Sequence, residues 1–120
     1  MTSEKRQRVS LDEPFERVDA SQAKHLIDSG KVILIDVREQ NEWDEGYIPG
    51  AKRISVNDIV SLRRVDEIPK DKPVLFYCAA GVRSALSAEI EAAMGHPGPL
   101  YSMEGGIEAW RAANYPVQKK

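Results

Sequence analysis

The chain has 120 residues, the length of one domain with a single hydrophobic core. Its 17 basic and 19 acidic side chains give a net charge of −2, which argues against a nucleic-acid-binding protein and against an acidic solvating tail. No run of about 18 apolar residues occurs, so the sequence predicts no membrane span. We therefore expect neither nucleic acid nor a membrane as a partner.

The amino-terminal residues 1–14 are polar and charged, and they contain no apolar stretch of the kind that a secretory signal needs. This pattern predicts a flexible arm over 1–14 and one folded domain over 15–120. Cysteine occurs once, at Cys78, and a single cysteine forms no internal disulfide. Because such a fold does not depend on an oxidising compartment, the cytoplasm is the expected location.

Strand and helix patterns alternate along the chain. Two runs, 32–37 and 74–77, are apolar enough to predict strands buried on both faces. Apolar residues spaced by three or four positions predict helices, and Asp19 and Gly95 mark helix ends. The predicted elements are strand 15–18, a helix between Asp19 and Gly30, strand 32–37, strand 52–54, helix 56–62, strand 74–77, a helix from Ser84 to Gly95, strand 100–103, and a helix from Gly105-Gly106 to Asn114. This alternation predicts an α/β fold with a mainly parallel sheet and helices on both faces.

Cys78 follows the predicted strand 74–77 and shortly precedes a helix. In parallel α/β sheets, ligands bind at the carboxyl ends of strands. A helix N-terminus and a nearby cation, here Arg83, favour the nucleophilic thiolate form of a cysteine. Residues 79–81 are small, so the backbone can curl and turn its N–H groups toward an anion. The segment predicts a nest around a thiolate, a persulfide or an oxyanion; the alternative is an ordinary turn with a buried cysteine.

The pattern Cys-x-x-Gly-x-Arg-Ser at 78–84 resembles the active-site loop of single-domain rhodaneses. Three further blocks resemble the same family in the expected order: Asp-Val-Arg-Glu at 36–39, Glu-Trp-Asp-Glu-Gly-Tyr-Ile-Pro-Gly-Ala at 42–51, and Glu-Gly-Gly-Ile-Glu-Ala-Trp at 104–110. The resemblance covers 15–117. It implies a rhodanese-like three-layer sandwich, with a five-stranded, mainly parallel sheet between two layers of helices.

The resemblance implies a sulfurtransferase that works in two steps. Cys78 would take a sulfane sulfur from thiosulfate or another persulfide, and a nucleophilic acceptor such as cyanide, a thiol or a protein would then remove it. The loop N–H groups would stabilise the sulfur anion, and Arg83 would complete the positive field. The implied substrate-binding residues are Ala79, Ala80, Gly81, Val82, Arg83 and Ser84. No metal or organic cofactor is implied.

Three charged residues outside the loop are predicted to support it without reacting. Asp36 and Arg38 follow the strand 32–37 and are expected to form an ion-pair network that fixes the next loop. Glu42 is a candidate partner for Arg38.

Two other classes of function are weighed against sulfur transfer. A binding or regulatory module without catalysis ranks lower, because such rhodanese-like domains usually lack the cysteine. A phosphatase or arsenate reductase is disfavoured because four residues separate Cys78 from Arg83 and Tyr77 precedes the cysteine. Phosphatases with a cysteine nucleophile use a loop one residue longer, commonly after a histidine. Ala79 and Ala80 carry no charge, which leaves room for a neutral or protein-borne sulfur donor.

Overall fold

A computed structural model describes residues 13–119 as a five-stranded sheet between two layers of helices. The strands are β1 (Glu16–Val18), β2 (Ile33–Asp36), β3 (Lys52–Arg53), β4 (Val74–Tyr77) and β5 (Leu100–Met103). The helices are α1 (Ala20–Asp28), α2 (Gln40–Asp44), α3 (Val56–Val60), α4 (Val82–Ala93) and α5 (Gly106–Ala112), with a 3-10 turn at Val65–Glu67. The predicted α/β class and five-stranded sheet are confirmed. Residues 1–12 of the predicted arm lie outside the described range.

The strand order is β1-β5-β4-β2-β3, and every pairing between these strands is parallel. The central strand β4 pairs with β2 on one side and β5 on the other. Asp36 therefore lies opposite Tyr77, and Ser102 lies opposite Phe76. This register brings the carboxyl ends of β2, β4 and β5 together around Cys78.

Side chains of β2 and β4 alternate between two cores, which explains why both runs are continuously apolar. One core contains Phe76 with Ile59 of α3 and Ala88 of α4. The other contains Leu75 with Trp110 of α5, and Ala23 of α1 belongs to it too. Helices therefore cover both faces of the sheet. No helix in the range 13–119 is long and apolar enough to cross a membrane.

Two short elements, α2 and the 3-10 turn, were not predicted, because they are too short for a helical period to show. Helix α4 begins at Val82, two residues earlier than predicted. Gly81 adopts φ +111° immediately before it, so the chain passes from the loop into the helix at a glycine. The early start brings the helix N-terminus close to Cys78.

Candidate active site

Cys78 lies between the end of β4 and the start of α4, and its side chain is 1% exposed. Its own loop surrounds the sulfur. The N–H of Gly81 donates to Sγ at 3.1 Å, and the N–H of Ser84 donates to Sγ at 3.4 Å. The Ser84 hydroxyl oxygen lies 3.6 Å from Sγ. Donors converging on one buried sulfur, at the N-terminus of a twelve-residue helix, stabilise negative charge there.

Helix α5 holds the opposite side of the same loop. The N–H of Ile107 donates to the carbonyl oxygen of Cys78 at 2.9 Å, and the N–H of Glu108 donates to that of Ala79 at 3.2 Å. In a trans peptide, the carbonyl and the following N–H point in opposite directions. Because α5 draws these two carbonyls outward, the N–H groups that follow them face away from α5.

Glycine is required where the loop meets the turn before α5. Gly106 has φ +55°, and a Cβ there would overlap the carbonyl oxygens of Cys78 and Ala79. Gly81 faces the same turn, where a Cβ would lie 3.3 Å from the backbone nitrogen of Gly105. Both glycines allow two backbone segments to approach more closely than side chains permit.

Arg83 points to α2, where its guanidinium forms a two-pronged ion pair with Glu42 at 2.8 and 2.9 Å. The bond from Arg83 lowers the pKa of Glu42 to about 2, and the carboxylate raises the pKa of Arg83. The pairing of Glu42 with Arg38 that was predicted is wrong for the carboxylate, since Arg38 reaches only the Glu42 carbonyl oxygen, at 3.3 Å. Arg83 thus shares its charge with a carboxylate and ties the start of α4 to α2.

Asp36 and Arg38 form a buried ion pair at the end of β2. Arg38 donates from Nε to Asp36 Oδ1 at 3.0 Å and from Nη2 to Oδ2 at 2.7 Å. The same Nη2 donates to the carbonyl oxygen of Gly46 at 2.7 Å, just beyond α2. Tyr77 holds the next stretch, since its hydroxyl accepts the N–H of Ile48 at 3.0 Å. Burial raises the pKa of Tyr77, so this phenol stays neutral. The network fixes α2, and through it the carboxylate that holds Arg83.

Two open cavities flank the loop. One, of about 300 Å³, is lined by the small and apolar residues Ala80, Gly81, Val82, Ala85 and Gly105 and, at its edge, by Arg17 and Glu104. The other, of about 550 Å³, is lined by Ala79 and by charged residues of both signs. Val82, at the rim of the first, is 79% exposed. The loop is therefore bordered by space on two sides, a mixed apolar and charged side and a more strongly charged side. Within 13–119, no group of three or more His, Cys, Asp or Glu side chains could hold a metal ion.

Of the predicted loop residues 79–84, the structure brings Gly81 and Ser84 into contact with the Cys78 sulfur and turns the Arg83 side chain to Glu42. Asp36, Arg38 and Glu42 lie in the neighbouring network. Substrate binding by the loop stays a prediction. Sequence reasoning did not single out Ser102, whose hydroxyl lies 2.8 Å from that of Ser84. A lone serine in a short strand carries no signal of this contact. The sequence predicts a helix start at Gly105-Gly106, but the packing of this pair against the Cys78 loop depends on tertiary structure.

The ion pair between Arg83 and Glu42 makes a prediction for acid stability. The pKa of Glu42 is lowered to about 2 in the folded chain from its ordinary value of 4.5, so its contribution to stability is present above pH 4.5 and is lost as the pH falls toward 2. Both side chains are about 30% exposed, so we expect a screened contribution of about 1 kcal/mol. Urea unfolding at pH 5, 4 and 3 should show a smaller acid loss of stability in Glu42→Gln than in wild type. The control Glu89→Gln removes an exposed carboxylate of α4 and should lose as much stability in acid as wild type. An equal decrease of the unfolding free energy between pH 5 and pH 3 in all three proteins would contradict the prediction.

Comparisons with known proteins place this chain in one family. The sequence model of the rhodanese-like domain matches residues 19–113. The chain belongs to the rhodanese-like family.

The chain is 31% identical over 99 residues to the thiosulfate sulfurtransferase GlpE of Pseudoalteromonas translucida, and the match covers 82% of this chain and 91% of that protein. It is 34% identical over 97 residues to a sulfurtransferase of Allochromatium vinosum, covering 81% and 88%. A rhodanese-like domain protein from Staphylococcus aureus has the same fold, with a TM-score of 0.74, 31% identity, and coverage of 88% and 99%.

Proposed function

We propose that this protein is a sulfurtransferase in which Cys78 carries a sulfane sulfur as a persulfide. The observation that carries the proposal is the pair of N–H groups, from Gly81 and Ser84, that donate to the buried Sγ at 3.1 and 3.4 Å. Such donors stabilise charge on sulfur in the thiolate and in the transition states on either side of the persulfide. The sulfurtransferase names of two relatives support the same reaction class.

The proposed chemistry has two displacements at sulfur. The Cys78 thiolate attacks the sulfane sulfur of the donor, and the bond between that sulfur and the rest of the donor breaks. The electron pair of the broken bond goes to the leaving group, which is sulfite when the donor is thiosulfate. The acceptor, which is cyanide, a thiol or a protein thiol, then attacks the outer sulfur. Cys78 leaves as a thiolate, and the enzyme is ready for another donor. No external oxidant or reductant is needed.

Both thiosulfate and persulfides are proposed as donors. The loop side chains 79–82 are uncharged, and Arg83 shares its charge with Glu42, so a dianionic donor depends mainly on the backbone N–H groups. A persulfide carries less charge and depends less on a cation, which suits the small and apolar loop residues beside the exposed Val82. Cys78 must return to a free thiolate in every cycle, which favours a reducing compartment such as the cytoplasm.

Intact-mass analysis tests the proposal. The reduced protein, incubated with thiosulfate or with glutathione persulfide and then desalted, is expected to gain the mass of one sulfur atom. Cyanide should remove that mass and release thiocyanate. Protein alkylated at Cys78 beforehand is the control and should gain nothing. No gain from either donor would contradict the proposal and favour a binding module.

A further inference from the structure

A chain of buried hydroxyl groups leads from β5 to the sulfur of Cys78. Ser102 of β5 is 1% exposed and Ser84 of α4 is fully buried. Their hydroxyl oxygens lie 2.8 Å apart. Ser84 Oγ also lies 3.6 Å from Cys78 Sγ and 3.2 Å from the carbonyl oxygen of Gly81. Ser102 itself does not bond to the sulfur, so any effect on Cys78 passes through Ser84.

The direction of these bonds follows from counting protons. A serine hydroxyl donates one hydrogen bond and accepts up to two. Either hydroxyl could donate across the 2.8 Å contact, but among residues 13–119 the Ser102 hydroxyl has no other hydrogen-bond partner, whereas Ser84 can donate to the Gly81 carbonyl. Both protons are bonded only when Ser102 donates to Ser84, so we assign that direction. Ser84 then keeps its own proton for the Gly81 carbonyl or for Cys78 Sγ.

The two acceptors of the Ser84 proton are favoured in different states of Cys78. A thiol donates its own S–H to Ser84 Oγ, and Ser84 donates to the Gly81 carbonyl. A thiolate has no proton to give and is the stronger acceptor, so the Ser84 hydroxyl turns to it. The bond from Ser102 persists in both states, fixes the position of Ser84 Oγ and polarises its hydroxyl, which makes that hydroxyl a better donor to the sulfur.

We propose that Ser102 is a positioning residue that holds the Ser84 hydroxyl ready to donate to the Cys78 thiolate. This inference rests on the proposed role of Cys78 as the sulfur carrier. It concerns the thiolate itself, however, so it can be tested without sulfur transfer.

The test is a double-mutant cycle on the rate of Cys78 alkylation by iodoacetamide, measured by mass from pH 5 to pH 10. One hydroxyl bond to a thiolate corresponds to a change of about tenfold to a hundredfold in rate below the midpoint of the profile. Ser102→Ala removes only the bond that orients the Ser84 hydroxyl, so we expect a smaller loss of about threefold to tenfold, with the profile shifted to higher pH by about 0.5 to 1 unit. Ser84→Ala should show at least as large a shift. Adding Ser102→Ala to Ser84→Ala should cause no further change.

Two variants separate this role from a structural one. Ser87→Ala removes another fully buried serine hydroxyl of α4, which donates to the Arg83 carbonyl at 2.8 Å. It should lower stability to unfolding by urea without moving the alkylation profile. Ser102→Thr keeps a hydroxyl and should restore the wild-type profile.

Two outcomes would overturn the inference: no shift in Ser102→Ala, or an equal shift in the presence and absence of Ser84. A folded Ser102→Thr protein with the alanine profile would also count against it. If the wild-type protein gains no sulfur but the alkylation rates of the variants change as expected, the proposed function is refuted and the role of Ser102 in stabilising the thiolate stands.

Discussion

Replacement of Cys78 with serine is expected to reduce thiocyanate formation from a sulfur donor and cyanide by at least roughly a thousandfold. A serine hydroxyl is not ionised near neutral pH, and it cannot form the sulfur–sulfur bond on which the proposed transfer depends. Steady-state assays with thiosulfate and with glutathione persulfide would measure the loss. It should appear in kcat with both donors, because the serine variant keeps the backbone of the loop.

Cys78 is the only cysteine in the chain, so the loss of activity in the serine variant can be assigned to this one thiol. The serine variant therefore contains no thiol that could substitute, and its mass should stay unchanged in the presence of a donor. Serine is similar in size to cysteine, and its hydroxyl can accept hydrogen bonds from the N–H groups that face Sγ. Circular dichroism and thermal melting should therefore show that the variant keeps the folded structure. A folded variant with more than a tenth of wild-type activity would contradict the role of Cys78.

Replacement of Gly106 with alanine is expected to cost about 3 kcal/mol of unfolding free energy and to slow sulfur loading of Cys78. Gly106 has φ +55°, and its Cβ would overlap the carbonyl oxygens of Cys78 and Ala79. These are backbone atoms, so no side-chain rotation relieves the overlap. The loop must move, and the bond from Ile107 N–H to the Cys78 carbonyl is then lost. Urea denaturation and a loading time course would measure the two effects.

Gly30→Ala is the matched control for this prediction. Gly30 follows α1 with φ +73°, and apart from its chain neighbours no atom of residues 13–119 lies within 4 Å of where its Cβ would be. Alanine there bears only the cost of the left-handed backbone, about 1 kcal/mol, and should leave sulfur loading unchanged. Equal destabilisation by the two substitutions would show that close packing against the Cys78 loop is not what Gly106 provides.

The position of Cys78 is predictable from sequence because it depends on local features. The run 74–77 is continuously apolar and therefore a central strand, and small residues followed by a helical pattern identify the loop. The partner of Arg83 is not predictable in this way. Glu42 is 41 residues away, on a five-residue helix too short for a periodic pattern to show. The spacing along the sequence favours Arg38 as the partner of Glu42, but in the structure the Arg38 guanidinium pairs with the carboxylate of Asp36.

The role of Ser102 is hidden from sequence for another reason. A serine in a short strand fits either face of a sheet, and its contact depends on the register between β5 and β4. That register sets Ser102 opposite Phe76, two residues before Cys78. The position of Gly106 against the loop likewise depends on how α5 packs, which no local pattern encodes.

The burial of Cys78 Sγ bears on the regiochemistry of the second half-reaction. A persulfide offers an attacking thiol two electrophilic sulfurs. Attack on the inner one expels hydrogen sulfide and leaves a mixed disulfide, whereas attack on the outer one hands the sulfur over. With Cys78 1% exposed and its Sγ enclosed by the Gly81 and Ser84 N–H groups, the outer atom of the proposed persulfide would be the one that extends toward solvent. In the proposed reaction, the same enclosure would protect the protein from being trapped as a mixed disulfide by a thiol acceptor.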